Sequence, residues 1–287
     1  MPDFTTSELT PLAKKNRDAY IELLKNTLLN NIYEDPVVTE NPVSSWKGKL
    51  LKKLYGENAS LVKIDKYDAE KRALGIDWPA HAHTMIGVKR MDNLRFCLED
   101  IIACEIPGDF IETGVWRGGA SIFAKGIFNV FGQGDRKVWL ADSFEGLPKP
   151  NTKDYPEDQG DEHYKYDFLR VAVEDVMSNF GKYGLLDDHV VFIKGWFKDT
   201  LPTLQIGPIA VLRLDGDMYE STMVALKSLY NKVSIGGYVI VDDYCIRSCS
   251  KAIADFREAN NITTQMQDID GTGVFWQKEQ PMNINSR

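Results

Sequence analysis

Four carboxylates stand in two short stretches of the chain. LRLDGDMYES, residues 212–221, carries Asp215 and Asp217, and VIVDDY, residues 239–244, carries Asp242 and Asp243. Both stretches open as apolar runs and end abruptly in acid. Clustered carboxylates repel one another unless a cation or shared protons relieve them, and an all-oxygen donor set suits a hard ion such as Mg²⁺. The chemistry this implies is a cation held beside a reacting oxygen.

A second constellation lies upstream. IETGVWRGGAS, residues 111–121, places glycines where the backbone can approach a ligand at the mouth of a helix. It has neither the G-x-G-x-x-G spacing of a dinucleotide site nor the G-x-x-x-x-G-K of a phosphate loop. Glu112, just before the turn, suits a cationic or hydroxyl-bearing ligand better than a pyrophosphate. Asp142 closes the next apolar run, where an acid can accept from ribose hydroxyls. A glycine turn that is not built for phosphate, paired with a ribose-type acid, fits S-adenosylmethionine better than NAD. Trp196 and Phe197 follow Gly195 where an adenine could stack, although the same aromatics could cover a sheet edge. His81 and His83, in HAHTMIG, are candidate bases, but structural histidines are commoner.

The apolar runs around Asp142, Asp215 and Asp242 read as strands buried on both faces, as in a parallel α/β sheet. In such sheets the ligand crevice lies at the carboxyl ends of the strands, which brings these acids together. The order predicted from residue 88 is a helix, then strands in DFIET, KVWLADS, HVVFIKG, PIAVLRLD and GGYVIVDD alternating with helices at about 118–127, 169–180, 198–201, 219–232 and 248–260. Strands at 264–269 and 273–277 close the sheet as a hairpin. The polar excursion 148–167 is too long for an ordinary connection and reads equally as a lid or as a disordered loop. Before residue 88 the spacing predicts helices at 11–30 and 45–55, leaves 57–70 unassigned, and contains too little apolar sequence for a core of its own. The expected division is therefore an N-terminal helical extension and lid, 1–87, and a catalytic domain, 88–287.

Composition narrows the classes. The formal net charge of -8 and the lack of a long basic run argue against a nucleic-acid partner. The polar N-terminus and the lack of a long apolar stretch argue against a signal peptide and a membrane span, so a cytoplasmic protein is expected. Cys97, Cys104, Cys245 and Cys249 show no zinc-type pairing and read as reduced core thiols. An apolar N-terminal helix leaves a homodimer open.

Taken in order, IETGVWRGGAS, WLADSFEGLP, KGWFKDTLP, VLRLDGDMYES, VIVDDY and TGVFWQK closely resemble the macrocin O-methyltransferase family. The similarity extends back to NTLLNNIYEDP and WPAHAHTMIG. The resemblance implies a Rossmann-like class I methyltransferase: a seven-stranded, mostly parallel sheet with a terminal antiparallel hairpin and an N-terminal helical lid. It also implies S-adenosylmethionine and Mg²⁺ as cofactors, and transfer of a methyl group to a hydroxyl of a natural product such as a deoxysugar or polyketide. On the matching positions, Thr84, Met85, Glu112, Gly114, Asp142, Ser143 and Trp196 are expected at the cofactor and Asp215, Asp242 and Asp243 at the metal. Asp215 is expected to act as both ligand and general base, with Asp217 second. The rival readings are a non-sugar small-molecule hydroxyl as acceptor, a nicotinamide oxidoreductase and a non-catalytic binding partner.

Overall fold

The computed structural model describes residues 10–41, 52–56 and 61–281. Seven strands form the main sheet, in the order β5-β4-β3-β6-β7-β9-β8. They are β3 (Asp109–Thr113), β4 (Val138–Asp142), β5 (Val190–Lys194), β6 (Ile209–Leu214), β7 (Val233–Val241), β8 (Gln267–Asp268) and β9 (Val274–Gln277). Neighbours from β5 to β7 are parallel, whereas β9 runs antiparallel to both β7 and β8. The chain leaves β3 through β4 and β5 on one side, then returns to lay β6 and β7 on the other. The order therefore reverses between β3 and β6, the place where open α/β sheets bind ligands.

Strand alternation sends successive apolar side chains to opposite faces. Phe110, Leu140, Val211 and Ile240 join one core with Ile21 and Leu24, Met91 and Leu94, Phe123 and Ile127, and Phe180. These come from helices α1 (Pro11–Leu28), α3 (Val88–Ala103), α4 (Gly119–Val130) and α5 (Val173–Lys182). Ile111, Ala141, Leu212, Val239 and Trp276 face the other way, onto Met223 and Leu226 of α7 (Tyr219–Leu229) and Ile253 and Phe256 of α8 (Arg247–Ala259). The result is three layers, with both faces of the sheet dry.

Several boundaries differ from the sequence-based expectation, each for a local reason. Helix α1 stops at Leu28 because Asn30 adopts a left-handed φ of 60°. Strand β7 starts at Val233, ahead of its glycine pair, and its register against β6 shifts there. Helix α5 starts at Val173, since Asp167–Leu169 is a separate 3-10 turn. The short helix α6 covers Phe197–Thr200, and the strand expected at 264–269 shrinks to β8. Val37–Asn41 (β1) and Leu61–Asp65 (β2) form an unforeseen antiparallel pair, followed by the unforeseen α2 (Ala69–Leu74). Of the helix expected at 45–55, residues 45–51 lie outside the described residues and 52–55 are helical. All four cysteines are free, but only Cys97 and Cys249 are buried; Cys104 and Cys245 are exposed. Among the described residues no helix is long and apolar enough to cross a membrane.

Candidate active site

The turn after β3 is shaped by a close crossing of strands. Gly114 has φ +90°, and a Cβ there would meet the Asp215 carbonyl oxygen at 1.6 Å, so only glycine lets the β3 and β6 ends come together. Asp142, at the end of β4, ties the turn from the other side. Its Oδ2 accepts from Val115 N at 2.7 Å and its Oδ1 from Phe144 N at 2.7 Å. Burial raises the Asp142 pKa, while the backbone N–H groups of Val115, Phe144 and Trp116 and the Ser143 hydroxyl oppose the rise. A carboxylate has lone pairs beyond two bonds, so Asp142 still has acceptor capacity toward the cleft it lines. Ser143 Oγ donates to Gly146 O at 2.6 Å, closing the loop that follows.

The segment carrying Thr84 and Met85 packs onto the same turn. Gly119 N donates to His83 O at 2.9 Å, and a Cβ on Gly119 would lie 2.5 Å from that oxygen. Arg117 Nη1 reaches Ala80 O at 2.8 Å and Ala82 O at 2.9 Å, and the buried Arg72 holds Ile86 O at 2.7 Å. The resulting cleft is lined by Met85, Gly114, Asp142, Ser143, Trp196 and Phe197, and reaches Asp215, Gly216 and Asp217. Thus Met85, Gly114, Asp142, Ser143 and Trp196 come together with two of the acids.

Two expected cofactor contacts sit elsewhere. Thr84 is buried beside Gly119 and is not among the cleft-lining residues. Glu112 lies beneath the cleft, 2% exposed, with Arg213 Nη1 2.5 Å from Oε1 and Ser121 Oγ bonded to Oε2. Burial pushes its pKa up to about 7 against the pull of Arg213. His83 spends Nδ1 on the Tyr183 hydroxyl at 2.7 Å, and its pKa is lowered by burial and by Lys182 and Arg117. It is a packing residue of the glycine turn, away from the acid cluster's contacts.

Asp215, Asp242 and Asp243 each offer an oxygen within 4.8 Å of the others. Two arginines that the sequence reading passed over run beneath them. Arg213, 2% exposed near the carboxyl end of β6 and in cross-strand register with Glu112, donates to Asp215 Oδ2 at 2.9 Å. Its Nη2 lies 2.6 Å from Asp242 Oδ1, yet neither atom completes a hydrogen bond. Arg90 pairs with the other Asp242 oxygen and, at 2.8 Å, with Asp270. Burial alone would lower the Arg213 pKa, and Asp242, Asp215 and Glu112 more than reverse it.

The acids remain in excess of the guanidiniums, and their titration reflects it. Burial and Asp242 raise Asp215 to about 6. Burial and Asp215 raise Asp217 to about 7. Burial, then Asp217, Asp215 and Asp242, push Asp243 well above the carboxylate range. The excess of carboxylates over guanidiniums and an all-oxygen donor set from Asp215, Asp242 and Asp243 fit a hard divalent cation. Asp217 takes part in no ion pair among the described residues. Its backbone has φ +55°, with its N–H on Asp243 Oδ2 at 3.1 Å and its carbonyl on Ser248 Oγ at 3.2 Å.

A profile of the macrocin-O-methyltransferase (TylF) family matches residues 17–278. The chain belongs to that family. Among its relatives is the 8-demethyl-8-(2,3-dimethoxy-alpha-L-rhamnosyl)-tetracenomycin-C 4'-O-methyltransferase of Streptomyces olivaceus, 45% identical over 261 residues, covering 91% of this chain and 92% of the other. The demethyldecarbamoylnovobiocin O-methyltransferase of Streptomyces niveus is also 45% identical, covering 90% and 93%. The solved structure of the O-methyltransferase NovP superposes with a TM-score of 0.80 at 43% identity, over 92% of this chain and 100% of that one. This member of the macrocin O-methyltransferase family is thus an S-adenosylmethionine-dependent O-methyltransferase with a Rossmann-like fold, as the sequence resemblance implied.

Proposed function

We propose that the enzyme methylates a sugar hydroxyl of a glycosylated natural product, with Mg²⁺ held by Asp215, Asp242 and Asp243 and with Asp217 as general base. The observation that carries this reading is a single cleft lined by the glycine turn and Asp142 together with Asp215 and Asp217, where Asp215 clusters with Asp242 and Asp243. The acceptor class follows from the relatives, one of which, by its name, methylates a rhamnosyl group.

Bound Mg²⁺ would lower the pKa of an acceptor hydroxyl and fix its direction. The chain's own groups do the rest. Gly114 and Asp142 hold the donor turn, and Met85 and Trp196 wall the donor cleft. The acceptor O–H gives its proton to a carboxylate, the new C–O bond forms in line, and the C–S pair stays on sulfur. Support for Asp217 as that carboxylate is its reach into the cleft and its lack of a guanidinium partner among the described residues, whereas Asp215 is tied to Arg213. This puts first the residue that the sequence placed second to Asp215.

The test uses demethyldecarbamoylnovobiocin and the rhamnosyl-tetracenomycin as acceptors. We expect methyl transfer by the native enzyme that EDTA abolishes and Mg²⁺ restores. Asp217→Asn should lose turnover by about a hundredfold or more, within the range of general-base loss. Activity undiminished by EDTA would refute the metal, and an active Asp217→Asn would return the base role to Asp215.

A further inference from the structure

The connection between β4 and α5 is ordered as three 3-10 turns, Pro156–Asp158, His163–Lys165 and Asp167–Leu169. It touches the site at two points that serve opposite halves of the reaction. Toward the donor, the Phe168 carbonyl accepts from Trp116 Nε1 at 3.0 Å, and the Phe168 ring meets Trp78 edge-on at 5.0 Å. Leu147, Pro148, Asn151 and Leu169 form part of the donor cleft wall. Toward the acids, Asp158 is inserted over the start of α7. Its Oδ1 accepts from Tyr219 N at 2.6 Å and its Oδ2 from Glu220 N at 3.1 Å, and it is 1% exposed.

That contact supplies something α7 lacks. The residue at its own cap position is Met218, which makes no side-chain cap bond. A carboxylate at a helix N-terminus satisfies orphan N–H groups and the positive end of the dipole. Here it comes from 61 residues away in the chain. The capped turn begins two residues after Asp217, whose left-handed backbone costs energy for a residue with a Cβ and persists only if neighbouring bonds enforce it. Asp243 and Ser248 grip Asp217 itself, and Asp158 grips the two residues after Met218. Tyr155, also from the loop, packs on Tyr219 at 6.1 Å between ring centroids.

We infer that Asp158 is a positioning residue of the methyl transfer: it latches the loop as a lid onto the first turn of α7 and thereby holds Asp217 at the acceptor side of the cleft. The inference rests on the reading of Asp217 as the base. Because the same lid reaches the donor wall through Phe168, closure joins the two half-sites.

The experiment compares native enzyme with Asp158→Ala and Asp158→Asn. Trypsin cleavage after Lys153 and Lys165 should accelerate by about fivefold in Asp158→Ala, the scale of a lost helix cap. The KM for demethyldecarbamoylnovobiocin should rise by a similar factor, while S-adenosylhomocysteine affinity weakens by no more than about twofold, because the Trp116–Phe168 bond still holds the donor side of the loop. Asp158→Asn, which keeps one acceptor oxygen, should fall between. Unchanged lid cleavage or an unchanged acceptor KM in Asp158→Ala overturns the latch, and so does a loss of S-adenosylhomocysteine affinity as large as the loss for acceptor. Cleavage needs no acceptor: if the native enzyme methylates none, the proposed acceptor class fails while the lid result still decides the latch.

Discussion

Arg213 shows how a single side chain can prepare a site without touching what the site binds. Its guanidinium joins the carboxylates of Glu112, Asp215 and Asp242 at the ends of three adjacent strands. Arg suits this work because its planar fork serves several oxygens at once and stays charged when buried. The partial neutralisation leaves a residual negative charge that a proton or a metal ion can answer, and the two compete. With Asp215 raised to about 6 and Asp217 to about 7, Mg²⁺ affinity measured by calorimetry should weaken as pH falls from about 8 to about 6, with proton release on binding. A pH-independent affinity would contradict the assignment of these acids. Asp242→Asn is the informative variant for this cluster, since removing the side chain would also strand Arg90 and Arg213. The acids themselves were legible in the sequence because each ends an apolar strand. Arg213 carried a signal too: a lone guanidinium in a buried strand requires carboxylate partners, and LRLD states it openly.

The elements that mattered most are turns rather than helices or strands. Gly114 makes the crossing of β3 and β6 possible, and its replacement tests the crossing directly. Gly114→Ala combines a left-handed φ with a Cβ driven into the Asp215 carbonyl. It should cost at least about 2 kcal/mol in urea unfolding and abolish binding of S-adenosylhomocysteine, since both half-sites meet there. Retention of native affinity would mean that the two strand ends can part without harm. Periodic elements could be read from sequence because burial on one or both faces leaves a pattern. The β1–β2 pair could not, since the stretch between its strands carries a helical pattern rather than a turn signal, and the pair is held by backbone bonds that no side chain announces. Nor could the order of the lid: 3-10 turns have no long-range periodicity, and Asp158 is one acid among many in that loop until α7 is placed beneath it. Glu112 and Thr84 stand at motif positions, but neighbouring residues fill their surroundings, and proximity in sequence could not reveal that.

For the molecule as a whole, Arg90 joins α3, the end of β7 and the turn before β9 through Asp242 and Asp270. Burial would raise the Asp270 pKa, but hydrogen bonds from Thr272 and Gly273 and the charge of Arg90 hold it below the ordinary value. A carboxylate depressed by folding stabilises above its unfolded pKa of about 3.9, and that contribution is lost as pH falls through the folded value. The melting temperature of native enzyme should therefore exceed that of Asp270→Asn by a constant margin above about pH 5, and the margin should close below about pH 4. A margin that persists into acid would place the stabilisation elsewhere. The strand order has a further consequence, for synthesis rather than catalysis. β7, which runs directly into Asp242 and Asp243, has β9 as its outer neighbour, so it is an open edge until residues 274–277 emerge from the ribosome. Lys278, buried just beyond, then caps the seam by donating to the carbonyls of Tyr230 at 3.1 Å and Val233 at 2.7 Å. A nascent chain exposes a naked apolar edge leading to Asp242 and Asp243, and a transcript cut short of codon 274 encodes a template for misassembly.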